Sequence, residues 1–425
     1  MNVFGWSIWT GNTVEATTAN SNNHHGNYGI LGPAGWISRT AMKAIDHFTL
    51  SGINFLHSEL KQHTFNISIT TTYNHSNGLD EEEYNSNHDL SSISPVEENH
   101  HDHHHHHHYD HIQNQSIHIL DFKGNGTLPP IVLLHGISSC GADYYPLIRH
   151  LQSQCSRVVA IDLPGHGMSA SSLDISLPQL INVAVKALSE CILNLKLNEA
   201  SSEGKCILLG NSLGGFVACR FASLYPNEIG GLVLMSPAGA PLTQEELEHV
   251  KSTFDMKTLG DAGAFVEKVL GKERGGIPFG VRHVVGWAAR ERKLRPSVQR
   301  IFDEASIGEI RMTENEIQNI VAPVLLVWGK KESVFSEKHC NWFIEQFNSR
   351  NDNNVRNNRN GNNYGNNDED IVTQIFRPEA LGHIPHLDGA LLTGAISAFV
   401  QRCCIHNKKK HVHTPADTDA NSVGW

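Results

Sequence analysis

Ser212 stands between glycines in Leu208-Leu209-Gly210-Asn211-Ser212-Leu213-Gly214-Gly215, after an apolar run and before a helix-like stretch. A serine hydroxyl attacks a carbonyl carbon only when it is exposed and backed by a base, and a G-x-S-x-G turn between strand and helix supplies the exposure. Gly210 and Gly214 suit that turn, because a Cβ at either place would strike neighbouring backbone. The flanks agree. Cys206-Ile207-Leu208-Leu209 reads as a buried strand, and Phe216 to Leu224 as a small-residue helix that stops near Pro226. The alternative is a buried glycine-serine turn with no chemistry.

Such a serine needs an acid and then a histidine, each just past a strand end. Ala322 to Trp328 is a strand pattern, followed by the Gly329 turn and, three residues on, Glu332. Ile371 to Phe376 is another, and its following loop holds Leu381-Gly382-His383-Ile384-Pro385-His386. Ser212, Glu332 and His383 therefore come in the required order. A solvated turn at Lys330-Lys331-Glu332 is the competing reading of the acid, and His386 is the rival histidine.

Four blocks carry a resemblance: Ile131-Val132-Leu133-Leu134-His135-Gly136, Asp162-Leu163-Pro164-Gly165-His166-Gly167-Met168-Ser169, the serine turn, and Gly382-His383-Ile384-Pro385-His386. On these the chain, from about Phe65 to Cys404, resembles the α/β-hydrolase superfamily. The resemblance implies a triad of Ser212, Glu332 and His383, with the histidine being the one that follows glycine. Glu332 takes a position where that family usually has aspartate. It further implies an oxyanion hole made by the backbone N–H groups of Ile137 and Leu213. His135 and His166 are expected to shape turns, and His386 to pack beside the site.

The chemistry expected is hydrolysis of a carboxylic ester or thioester, with an apolar acyl group, through an acyl-enzyme. Asn211 beside the serine is similar to meta-cleavage-product hydrolases, which cut C–C bonds. Pro237-Ala238-Gly239 is similar to monoacylglycerol lipases and related esterases. C–C cleavage and a non-catalytic ligand-binding role therefore stay open as alternatives. No cofactor and no metal is expected.

The elements that must position these residues follow from apolar runs at 131–134, 158–161, 206–209, 232–235, 324–327 and 371–376, separated by helical segments. That alternation predicts an α/β fold with a mostly parallel sheet covered by helices on both faces. Alternating patterns at 64–70 and 116–122 add an antiparallel N-terminal hairpin. Residues 241–319 break the alternation, open on a Thr243/Glu246 capping-box pattern, and are expected to form a helical cap. Phe254, Phe265, Phe279, Trp287 and Phe302 in that cap are candidates for pocket wall or for cap core. The predicted organisation is an extension at 1–60, core at 61–240 with a disordered insertion at 74–115, cap at 241–319, core at 320–404 with an Asn-rich loop at 348–370, and a tail at 405–425.

Composition narrows the partners. Net charge is −11 over 425 residues, which argues against a general nucleic-acid binder. No apolar run is long enough to span a bilayer. Residues 37–60 have helical character, so peripheral membrane contact stays open beside core packing. The eight cysteines show no paired spacing and read as free thiols in a reducing compartment. The expected setting is intracellular, the cytoplasm first, with an organelle address left open. The run His103 to His108 and the sequons at Asn66, Asn74, Asn114 and Asn125 are read as features of a low-complexity, Asn-rich chain. Oligomeric state and the physiological acyl group are not legible.

Overall fold

Hydrophobic alternation pairs the first two strands, β1 (Leu60–Tyr73) and β2 (Tyr109–Lys123), as an antiparallel hairpin with Phe65 opposite Ile117. The computed structural model describes residues 60–73, 109–169, 176–200, 204–271, 279–306, 308–360 and 373–412. Short apolar runs too uniform to leave one face wet become central strands. These are β3 (Ile131–Leu134), β4 (Arg157–Ile161), β5 (Ile207–Asn211), β6 (Gly231–Met235) and β7 (Val324–Val327). The half-exposed β8 (Thr373–Phe376) closes the far edge. The eight strands form one sheet in the order β1-β2-β4-β3-β5-β6-β7-β8, parallel from β4 to β8.

Helices alternate with the strands: α1 (Tyr145–Leu151), α2 (Leu177–Asn194) and α3 (Leu213–Leu224). Five follow β6: α4 (Gln244–Thr253), α5 (Leu259–Leu270), α6 (Phe279–Lys293), α7 (Pro296–Glu304) and α8 (Glu314–Gln318). The last two are α9 (Glu337–Asn360) and α10 (Gly389–Val412). Successive strand residues point to opposite faces. Val132, Leu134, Leu208 and Leu234 therefore join a core with α2, α3 and α9, while Ile131, Leu133, Leu209 and Val233 join another with α1 and α10. Phe254, Val269, Ile301 and Phe302 extend the first core into the helical insertion.

Several expected boundaries move. Leu60, placed in the extension, opens β1, and β2 begins at Tyr109, inside the stretch expected as a disordered insertion. Helix α9 runs to Asn360 through much of the expected loop at 348–370. The helix is already nucleated where Cys340, Phe343 and Phe347 pack into the core, and lengthening a formed helix costs little. Helix α10 likewise passes the expected end at 404 and continues to Val412. Residues 1–59, 74–108, 361–372 and 413–425 lie outside the described residues, and with them the polyhistidine run and the expected extension.

Arg350 on α9 fixes the strands that carry the acid and histidine loops. It is fully buried and donates to Ile320 O at 2.9 Å, Ala322 O at 3.2 Å and Thr373 Oγ1 at 3.1 Å. Its guanidinium lies 5.1 Å from the Phe347 ring. Burial lowers its pKa to about 10, so it remains charged at neutral pH. Arg350→Ala strands the two carbonyls in the core, and urea unfolding should show a loss of about 3 kcal/mol. A loss below about 0.5 kcal/mol would mean that water satisfies those carbonyls instead.

Candidate active site

Ser212 is the single residue between β5 and α3. It adopts φ 52° and ψ −118°, a left-handed geometry that a side-chain-bearing residue keeps only when its surroundings enforce it. Its N–H donates to Met235 O at 3.1 Å, and its carbonyl accepts from Phe216 and Ala238 at 3.1 and 3.0 Å. A Cβ on Gly210 would overlap the Gly214 backbone, and one on Gly214 would overlap the Leu134 carbonyl. Ser212 itself is 6 % exposed, so little bulk water reaches it.

The acid and the histidine arrive from the ends of β7 and β8. His383 Nδ1 lies 3.0 and 2.9 Å from the two Glu332 carboxylate oxygens, both side chains being 3 % exposed. The longer glutamate arm thus reaches the ring. Glu332 Oε1 also accepts from the N–H groups of Val334 at 2.7 Å and Phe335 at 3.2 Å. Burial favours the protonated acid, but His383 and these bonds outweigh it and hold the Glu332 pKa below its ordinary value. Phe335 meets the His383 ring edge-on at 5.2 Å. Asn211 joins the two halves of the site: its Nδ2 donates to Met235 O and to His383 O, each at 2.9 Å.

On the other flank of Ser212 lies the turn after β3. A Cβ on Gly136 would come 3.3 Å from Ser212 Cβ, so Ile137 begins beside the serine. Leu213 opens α3, where a backbone N–H has no acceptor within the helix. His135 accepts from Leu163 N–H through Nε2 at 2.9 Å, which leaves Nδ1 to donate to Gly136 O at 2.7 Å. Both its nitrogens are occupied in shaping this turn. The buried Asp162 organises the next loop by accepting from Gly141 N at 2.7 Å and Met168 N at 2.8 Å, with His118 Nδ1 at 2.9 Å. His386 stacks on Tyr144 with ring centroids 4.4 Å apart, and does not contact the Glu332 carboxylate through any described hydrogen bond.

Residues 129–278 match the family model described as alpha/beta hydrolase fold. The chain has the α/β-hydrolase fold. The pimeloyl-[acyl-carrier protein] methyl ester esterase of Aeromonas hydrophila is 28% identical over 220 residues, covering 49% of this chain and 79% of that one. The rat monoacylglycerol lipase ABHD6 is 32% identical over 226 residues, 50% of this chain and 64% of the lipase. Among solved structures, the 2-hydroxy-6-oxo-6-phenylhexa-2,4-dienoate hydrolase of Rhodococcus sp. strain RHA1 superposes with a TM-score of 0.53 at 18% identity. That match covers 68% of this chain and 95% of the other, and at such identity it speaks for the fold alone.

The α/β-hydrolase core carries contacts that no local motif announces. Arg292 of α6 reaches across to Asp143, just after the Ile137 turn, at 2.9 Å, while Arg295 donates to Gly167 O at 2.5 Å. Burial works against ionised Asp143, but Arg292 and the Ser139 hydroxyl hold its pKa down. Phe254 packs against Phe265 and Phe302 at 5.2 and 5.1 Å, within the part of the first core that reaches into the insertion. The side chain of Phe279 lies outside the described residues, and Trp287 is half-buried. Among the described residues, no group of three or more His, Cys, Asp or Glu is placed to hold a metal ion. All eight cysteines are buried and none is in a disulfide.

Burial drives the pKa of His386 down to about 4 and that of His166 to about 3. The unfolded chain restores ordinary imidazoles near 6.5 and so binds more protons between pH 6.5 and 4. Stability is therefore present above pH 6.5 and drains as pH falls through that window. Urea midpoints should drop steadily from pH 7 to pH 4, and His386→Phe, which keeps a ring on Tyr144, should flatten the decline. Identical slopes in the two proteins would rule out His386 as a contributor.

Proposed function

We propose that Ser212, His383 and Glu332 act as a nucleophilic triad hydrolysing a carboxylic ester or thioester with an apolar acyl group. The observation that carries this reading is the buried Glu332–His383 pair, whose histidine is tied through its carbonyl to Asn211, the residue beside Ser212. Ser212 Oγ attacks the carbonyl carbon while His383 takes the hydroxyl proton. Glu332 holds the imidazole in the needed tautomer and steadies the imidazolium. The carbonyl oxygen becomes an oxyanion between the N–H groups of Ile137 and Leu213. Collapse expels the alcohol or thiol, which leaves with the proton from His383. Water then repeats the sequence on the acyl-serine and releases the acid.

The relatives' own names, a methyl ester esterase and a monoacylglycerol lipase, favour ester chemistry. C–C cleavage has the fold likeness and Asn211 beside the serine behind it, and in this structure Asn211 is taken up in holding the Met235 and His383 carbonyls. The formed acid–histidine pair speaks against a purely ligand-binding role. Among the described residues, no helix is long and apolar enough to cross a membrane.

A fluorophosphonate should label the protein at Ser212. Label should vanish in Ser212→Ala and form about a thousandfold more slowly in His383→Ala. Label surviving in Ser212→Ala would defeat the assignment, and Glu332→Gln with full turnover would send the search for the acid elsewhere. Hydrolysis of p-nitrophenyl esters from acetyl to oleoyl, with monoacylglycerols alongside, should favour the longer acyl chains. A sharp preference for acetyl would replace the apolar-acyl proposal with a short-chain esterase.

A further inference from the structure

We infer that Glu246, on the first helix of the cap, is a positioning residue that sets the catalytic acid through Ser336, so that the seating of the cap governs how Glu332 holds His383. The inference rests on the triad reading above. Its path is short. The two N–H groups that hold the Glu332 carboxylate belong to Val334 and Phe335. The next residue, Ser336, donates its hydroxyl to Glu246 Oε1 at 3.0 Å. A hydroxyl has one proton to give, so Ser336 Oγ accepts from His339 Nδ1 at 2.9 Å. His339 Nε2 is then the bare nitrogen, and it is indeed buried with no partner. Burial lowers the His339 pKa, in keeping with a neutral ring. The chain runs in one direction, from His339 through Ser336 to the cap carboxylate.

Glu246 is more than a helix cap. Its Oε2 accepts from the Thr243 N–H at 3.0 Å, which completes the capping box of α4. Helix α2 does that same work with Gln179, so the box does not require a carboxylate. The second oxygen of Glu246 is directed at the acid loop. Parallel ties show that this loop hangs on the cap. His249 Nε2 donates to Ser333 O at 3.0 Å, and Ser333 Oγ donates to Lys268 O at 2.8 Å. Beyond the histidine, Ile384 N–H donates to Val269 O at 3.3 Å. Phe335 lies between the two rings, 5.4 Å from His339 and 5.2 Å from His383.

The test compares Ser336→Ala, Ser336→Thr, Glu246→Ala and the Ser336→Ala/Glu246→Ala double variant with the wild-type protein. Three quantities are read: the rate of phosphonylation by a fluorophosphonate, kcat and KM on p-nitrophenyl acetate, and the thermal midpoint. A slightly displaced acid slows proton removal from serine without emptying the pocket. Ser336→Ala and Glu246→Ala should each phosphonylate about tenfold more slowly, with kcat falling alike and KM within about twofold. Ser336→Thr, which keeps the hydroxyl, should recover the rate, and the double variant should be no slower than either single one. Wild-type rates in Ser336→Ala, or losses that multiply in the double variant, would overturn the inference. Should Ser336→Ala not fold, Glu246→Ala decides alone: slowing at unchanged KM supports the inference, and a wild-type rate overturns it. Label persisting in Ser212→Ala would instead sink the triad reading itself, and the positioning role with it.

Discussion

The φ of +52° at Ser212 is the constraint on which the site depends. A serine would relax out of that geometry if its neighbours allowed it. They do not, because the glycines at 210 and 214 let three segments of backbone close on the turn, and β6 takes both the Ser212 N–H and one Asn211 side-chain proton. The remaining Asn211 proton goes to the His383 carbonyl, which lies far away in sequence. One side-chain amide thus couples a strained turn to the loop that carries His383. The strain and the convergence of the site share a single fastening.

Much of this was legible in residue order because it obeys local rules. A serine between glycines at a strand end, a carboxylate after Gly329 and a histidine after Gly382 each follow an apolar run, and apolar runs become strands wherever they are covered. The cap's opening was equally readable, since Thr243 and Glu246 form the capping box their spacing predicts. Helix α9 departs from its composition for the opposite reason. Asparagine-rich composition signals a loop, yet the apolar residues upstream had already fixed the helix, and Arg350 anchored it to two strand ends. Composition reports what a segment would do alone, and this one is not alone.

Pairings across long separations left no trace in spacing. Arg292 with Asp143, and Glu246 with Ser336, join the cap to opposite sides of the site. The spacing of Thr243 and Glu246 announces a helix cap but not the bond to Ser336, and nothing near Arg292 announces Asp143; these partners are chosen by the packing of the cap. The cap aromatics illustrate the same limit. Phe254, Phe265 and Phe302 turn toward each other and into the larger core. A helical insertion of this size needs its own apolar centre before it can shape a cavity.

That division of labour bears on how substrate and chemistry are connected. If the cap rested on the core through apolar contact alone, it could shift to admit ligand without disturbing the triad. Hydrogen bonds are directional and lose strength steeply with angle and distance. Bonds from α4 and α5 to residues 333, 336 and 384 therefore transmit a shift of the cap to the loops of Glu332 and His383. Those loops have little slack of their own, because the carboxylate is held by two N–H groups and the imidazole by both carboxylate oxygens. A displacement of α4 pulls on the loop carrying Glu332, and through it on the carboxylate that meets His383. In the proposed triad, the seating of the cap and the activation of the serine then draw on the same set of contacts.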